Sequence, residues 1–88
     1  MKIYQFTYTD GFGNDSDVSL MLKSIDSVSD LRIPFTRLCF IKSTDTANAI
    51  SKKIIQLKPQ LRFFISEVTE NRQGWLPKDI WEFIREED

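Results

Sequence analysis

Polar and apolar positions alternate from Lys2 to Tyr8, with Tyr4, Phe6 and Tyr8 on one side and Ile3, Gln5 and Thr7 on the other. A period of two carried by aromatic and β-branched residues predicts a strand. Asp10-Gly11-Phe12-Gly13-Asn14 ends it. Two glycines among Asp and Asn make a loop, and no Gly-Lys-Ser/Thr follows to turn it into a phosphate cradle. The period then changes: Val18, Met21, Leu22, Ile25 and Val28 recur at three and four, the single apolar stripe of a helix. Asp15 or Ser16 is placed to cap it and Asp17 suits its positive end. The helix is expected to run to about Ser29.

Asp30 to Phe35 reads as a short strand in which Pro34, unable to donate to a ladder, marks an edge or an end. Arg37 to Ser43 is a stronger strand, apolar on both faces, with Leu38 and Phe40 opposite Cys39 and Ile41. Ser43-Thr44-Asp45-Thr46 is a cluster of cap residues, after which Ala47, Ile50, Ile54 and Leu57 predict the buried stripe of a second helix. Lys58 suits that helix's negative end, and Pro59 stops it. Leu61 to Thr69 is again apolar on both faces. Asn71-Arg72-Gln73-Gly74 is a turn, and Pro77 opens a last helix with Ile80, Trp81 and Ile84 on one face. Trp75 and Trp81 are expected to anchor the packing. Glu86, Glu87 and Asp88 place like charges at the helix's negative end and are expected to fray.

The order β-α-β-β-α-β plus a short helix predicts an α+β domain with the ferredoxin-like split βαβ arrangement. Two helices would cover one face of a four-stranded sheet and leave the other open. Apolar residues on both faces of two strands require a cover for that second face, and a second copy of the chain is the expected cover.

At 88 residues with 41% apolar content, the chain makes one domain, 1–88, with a genuine core. Its one cysteine, Cys39, excludes an internal disulfide and suits a reducing compartment, so a cytoplasmic location is expected. Inside a strand that thiol is expected to act as a small hydrophobe. No apolar run is long enough for a membrane span. Histidine is absent, which removes the commonest general base and the commonest metal ligand.

Net charge is −1, unevenly spread: residues 32–58 carry six cations and one anion, whereas the segments on either side are acidic. Arg32, Arg37, Lys42, Lys52 and Lys53 are therefore the candidates for phosphate contact. Tyr4 and Phe40 are candidates to stack bases on an open sheet. A solvated face with internal pairing accounts for the same pattern.

The run Arg62-Phe63-Phe64-Ile65-Ser66-Glu67-Val68-Thr69, followed by Gly74-Trp75-Leu76-Pro77, resembles the fourth strand and tail of small SinR-like proteins, which are similar to the CRISPR-associated Cas-two family. Arg37 to Ser43, leading into a helix capped near Thr44, and the aromatic first strand Tyr4 to Tyr8 share that pattern. The resemblance implies a ferredoxin-like fold and a homodimer joined through open sheet faces. It also implies association with RNA or DNA, in some members as a metal-dependent nuclease. In that nuclease branch an aspartate follows a tyrosine at the end of the first strand, and two copies share a divalent ion. Here Tyr8 is followed by Thr9, and the aspartate comes one residue later, at Asp10. A one-residue shift reverses which sheet face a side chain occupies unless the strand ends or bulges there.

Two functions follow as expectations. One is a non-catalytic homodimeric module, without a cofactor, that binds nucleic acid or a protein. The alternative is a Mg²⁺-dependent endoribonuclease using Asp10 from each subunit as metal ligand and catalytic carboxylate. As a turn residue before Gly11, Asp10 also has a purely local role, bonding its own backbone.

Overall fold

The computed structural model describes residues 1–85. Its elements are β1 (Lys2–Tyr8), α1 (Asp15–Lys23), β2 (Val28–Phe35), β3 (Leu38–Ser43), α2 (Ala47–Leu57), β4 (Phe63–Glu67) and α3 (Lys78–Arg85), with a single 3-10 turn at Asp10–Phe12. The four strands form one antiparallel sheet in the order β2-β3-β1-β4. The protein is thus a small α+β domain with three helices. The expected fraying of Glu86, Glu87 and Asp88 lies outside the described residues.

Pairing sets the faces, because residues directly opposite each other in a ladder point the same way. Tyr4, Phe6 and Tyr8 lie opposite Ile41, Cys39 and Phe63 or Ile65, and this face receives α1 and α2. Phe6 is its centre: fully buried, it stacks on Tyr8 at 4.9 Å between ring centroids and meets Phe12 edge-on at 5.6 Å. Val18 and Leu22 from α1, and Ile50 and Ile54 from α2, complete the core without exposed surface. Each such aliphatic side chain contributes about 1.5–3 kcal/mol by leaving water.

The caps differ in part from expectation. α1 is capped by Asn14, whose side chain accepts from the Asp17 amide at 2.9 Å while Asp17 accepts from the Asn14 amide at 3.0 Å. This reciprocal box satisfies two otherwise orphaned donors. Gly13 precedes it at φ +94°, and a Cβ there would meet the Asp17 side chain. α1 stops at Lys23, earlier than the periodicity suggests, because Ile25 and Val28 belong to the connection and to β2. They keep the helical spacing by coincidence, since both point into the same core. α2 is capped by Thr46, which accepts from the Ala49 amide at 3.1 Å. Its Leu57, expected in the buried stripe, is 46% exposed.

The largest departure concerns the second sheet face, which the strand pattern leaves open for another subunit. α3 does not join the other helices but crosses this face. Ile80, Phe83 and Ile84 are buried against Ile3 and Phe40, with Leu38, Val68, Leu76 and Trp81 packed around them. The buried stripe of α3 is therefore Ile80, Phe83 and Ile84; Trp81 is half-buried at its margin. Trp75, expected as a packing anchor, is 96% exposed, because it sits in the irregular link between β4 and α3 with no element opposite it. Among the described residues, no helix is long and apolar enough to cross a membrane.

Candidate binding surface

The second sheet face divides into two zones that the register makes explicit. Toward one end, Arg32, Phe40, Gln5 and Ser66 form one cross-strand row, and Asp30, Lys42 and Ile3 the next. α3 covers this zone. Phe83 fits between two cations of the sheet: the Arg32 guanidinium is 4.7 Å from its ring centroid and the Lys42 ammonium 4.5 Å. The negative face of the ring attracts both. Arg32 also donates to Asp30 at 2.8 Å. Burial alone would raise the Asp30 carboxyl, but the Leu31 amide, Arg32 and the charge of Lys42 together bring it below the ordinary carboxylate range.

Toward the other end, Phe35, Leu38, Thr7 and Phe64 form a row across all four strands. At the usual strand spacing the row is about 14 Å long. α3 packs against Leu38 in this row but leaves its two phenylalanines exposed. Phe64 remains 63% exposed and Phe35 48%, with Leu38 half-buried between them and Thr7 exposed. None of the four side chains is charged. Phe35, Leu38 and Phe64 make the row mostly apolar, with Thr7 its polar member.

Beside α3, the sheet edge and the link after β4 enclose a hollow of about 360 Å³. Phe40, Val68, Trp81 and Ile84 supply its apolar walls, and Gln5, Asn71, Arg72 and Gln73 its polar ones. The Gln5 amide is held by Ser66 Oγ at 3.1 Å, and Arg72 Nη1 donates to the Thr69 carbonyl at 3.1 Å.

The candidates read from sequence fall in different places. Arg32 and Lys42 come together, but under α3 around Phe83. Arg37 lies at the β2–β3 turn in a left-handed conformation, φ +65°, and pairs with Asp10. Lys53 on α2 pairs with Asp45 at 3.5 Å, and Lys52 is exposed on the same helix. The five cations thus form no single stripe, because β2 and β3 present theirs to the second face while α2 lies over the first. Tyr4, a candidate for stacking, points into the helix-covered core instead and donates to the Asp45 carbonyl at 2.7 Å. Phe40 does lie on the second face, beneath α3.

Asp10 opens the 3-10 turn with its side chain 80% exposed and the Arg37 guanidinium against its carboxylate. Among the described residues, no three of Cys, Asp and Glu gather where they could hold a metal ion. The Arg37 guanidinium competes with any cation for the Asp10 oxygens, and Mg²⁺ needs several oxygen ligands.

Two groups near this turn are buried. Tyr8 Oη is inaccessible and finds no hydrogen-bond partner among the described residues. Burial raises its pKa, with Cys39 and Asp15 adding to the effect. Cys39 has no exposed surface, and burial pushes its thiol up to about 12, so it is an inert core residue at neutral pH.

The exposed row and the hollow are the features that sequence reasoning missed. Phe35 and Phe64 lie 29 positions apart in the chain and meet in one row only through the pairing of all four strands. Asn71, Arg72 and Gln73 carried a turn signal and nothing that distinguished them as a wall. No family model, curated protein or solved structure matches the chain.

Proposed function

We propose that this chain is a non-catalytic interaction module that pairs with a second copy of itself through the row Phe35, Leu38, Thr7 and Phe64. The single observation that carries the reading is the exposure of Phe35 and Phe64 at the two ends of that uncharged row, outside the cluster that α3 buries on the same face. An uncharged row presents no electrostatic obstacle to its own copy, and a two-fold axis through it would bury both sets of phenylalanines at once. The strand order supports a ferredoxin-like topology. Taken from the other edge it runs β4-β1-β3-β2, with β3 between the parallel strands β1 and β2, as a split βαβ unit requires. A homodimeric ferredoxin-like module agrees with the SinR-like and Cas-two-like resemblance of residues 62–77. The proposal leaves the nuclease branch of that resemblance aside, since the Asp10 carboxylate is paired with Arg37.

Sedimentation velocity tests the proposal. The parent is expected to run as a dimer at tens of micromolar, an order-of-magnitude expectation for a specific apolar interface. Phe64→Glu, which keeps an exposed position exposed, is expected to run as a monomer with an unchanged circular dichroism spectrum. A monomeric parent would refute the dimer, and a dimeric Phe64→Glu would place the interface elsewhere.

A further inference from the structure

The two edges of the sheet differ. β2 forms one of them: it carries Pro34, and its register against β3 shifts twice. Such breaks discourage a further strand from adding there. β4 forms the other, and its register against β1 is unbroken from Phe63 to Glu67. The Val68 amide donates to the Ile3 carbonyl at 2.8 Å. The alternation of an antiparallel ladder then turns the backbone groups of Ser66 and Phe64 inward, toward β1. Those of Phe63, Ile65 and Glu67 point outward, and among the described residues no backbone group pairs with them.

We propose that the outer edge of β4 receives an extended segment of another protein, three consecutive apolar residues followed by an acidic one, as an added antiparallel strand. Donors and acceptors that recur at every second residue are matched in full only by another extended backbone. Antiparallel pairing is the stronger of the two modes. The side chains set the rest. On the helix-covered face the added strand lies beside Phe63 and Ile65, both half-buried. On the other face it lies beside the exposed ring of Phe64. Apolar residues opposite these three take that surface out of water. Arg62, the residue before β4, is exposed and has no acidic partner among the described residues. Glu67, at the far end, has its charge offset by Lys2 at 3.5 Å. One acidic residue opposite Arg62 therefore completes the match. A second copy of β4 fits less well: in the register that sets the two Phe64 rings side by side, each Arg62 faces a serine. The strand adds in the plane of the sheet, whereas the row proposed for self-association lies on its face, so the two readings stand or fall apart.

The test follows the fluorescence anisotropy of a labelled peptide, Thr-Thr-Val-Val-Val-Glu-Thr, as the full chain is added. Saturable binding is expected. N-methylation of the first and third valines, whose amides face β4, should weaken it at least about tenfold, the loss of main-chain hydrogen bonds. N-methylation of the middle valine, whose amide faces away, should change it far less. Arg62→Glu should reverse the charge preference, weakening this peptide and favouring one with lysine in place of glutamate. Ile65→Pro removes an outward amide that β1 does not use, and it should weaken binding while circular dichroism shows the fold retained. No saturable change up to ~1 mM chain would overturn the proposal, as would equal loss from methylating the middle valine and the outer two. An unchanged preference for glutamate in a folded Arg62→Glu would overturn it too. Tighter binding of a peptide copying residues 61–69 would overturn the foreign partner in favour of a second copy.

Discussion

The ammonium of Lys42 lies 4.5 Å from the centre of the Phe83 ring, joining the middle of the sheet to the last helix. The ring is only 3% exposed and touches Arg32 on the same face of the sheet. One aromatic side chain therefore does two things: it fills the second core and screens two cations that β2 and β3 present to that core.

Replacing Phe83 should accordingly cost more than its volume. Phe83→Ala is expected to lower stability by about 3–5 kcal/mol, the range for a buried phenylalanine, a large share of what a domain of this size has. Phe83→Leu keeps much of the apolar burial and loses the ring, so it should cost less. Urea denaturation followed by circular dichroism measures both. A Phe83→Ala midpoint equal to the parent's would show that α3 is an appendage and not a layer of the fold.

Tyr8 offers the opposite case. Its hydroxyl is buried with no partner among the described residues, whereas its ring stacks on Phe6. An unsatisfied buried hydroxyl costs about 1–3 kcal/mol. Tyr8→Phe removes the hydroxyl and keeps the ring, so it is expected to be neutral or to stabilise by about 1 kcal/mol. Thermal unfolding measures it, and a fall of several degrees would mean that the hydroxyl has a partner in solution.

Cys39 links stability to alkaline pH. Its thiol is raised from an ordinary value of 9.0 to about 12 by burial, so folding favours the neutral form. That contribution is complete below pH 9.0 and is lost as pH rises toward about 12. Tyr4 and Tyr8, also raised mainly by burial, act in the same direction above their ordinary value of 10.0. Cys39→Ala should therefore flatten part of the alkaline loss of stability. In the native state the thiol should resist a disulfide reagent at pH 8 and react fully in urea; fast native reaction would contradict its burial.

Asp30 governs the acid side with the reverse sign. Its carboxyl is lowered below its ordinary value of 3.8, so its contribution is present above that value and fades as pH falls through the lower, folded one. The pair with Arg32 is partly exposed, so the effect is expected to be below about 1 kcal/mol. Asp30→Asn should lower stability slightly at pH 7 and leave it unchanged near pH 2. An equal deficit at both values would point to packing and not to charge.

Asp10 decides between module and nuclease. RNA and duplex DNA incubated with Mg²⁺ or Mn²⁺ are expected to stay intact. Cleavage that disappears in Asp10→Ala would restore the enzymatic reading. The same variant should change stability by less than about 1 kcal/mol, because the ion pair with Arg37 is exposed.

Much of this architecture is written locally. The period of two in Lys2–Tyr8, the two-faced apolar runs of β3 and β4, the stripe Ala47, Ile50 and Ile54, and the cap at Thr46 each depend on neighbours a few positions away. The α+β class and the order of the elements follow from them, as does the need to cover both faces of the sheet. Which segment covers the second face could not be read in this way. An apolar stripe on α3 suits either face equally, and only the path of the link from Val68 to Pro77 sends it across Ile3 and Phe40. The same holds for the candidate surfaces. Arg32 and Lys42 sit in a basic stretch of sequence, yet pairing and the docking of α3 gather them against the Phe83 ring. Phe35 and Phe64 are brought into one exposed row by three ladders. Periodicity records which face of its own element a residue occupies, whereas contact between elements is decided by register and by the length of the connections, which no local pattern encodes.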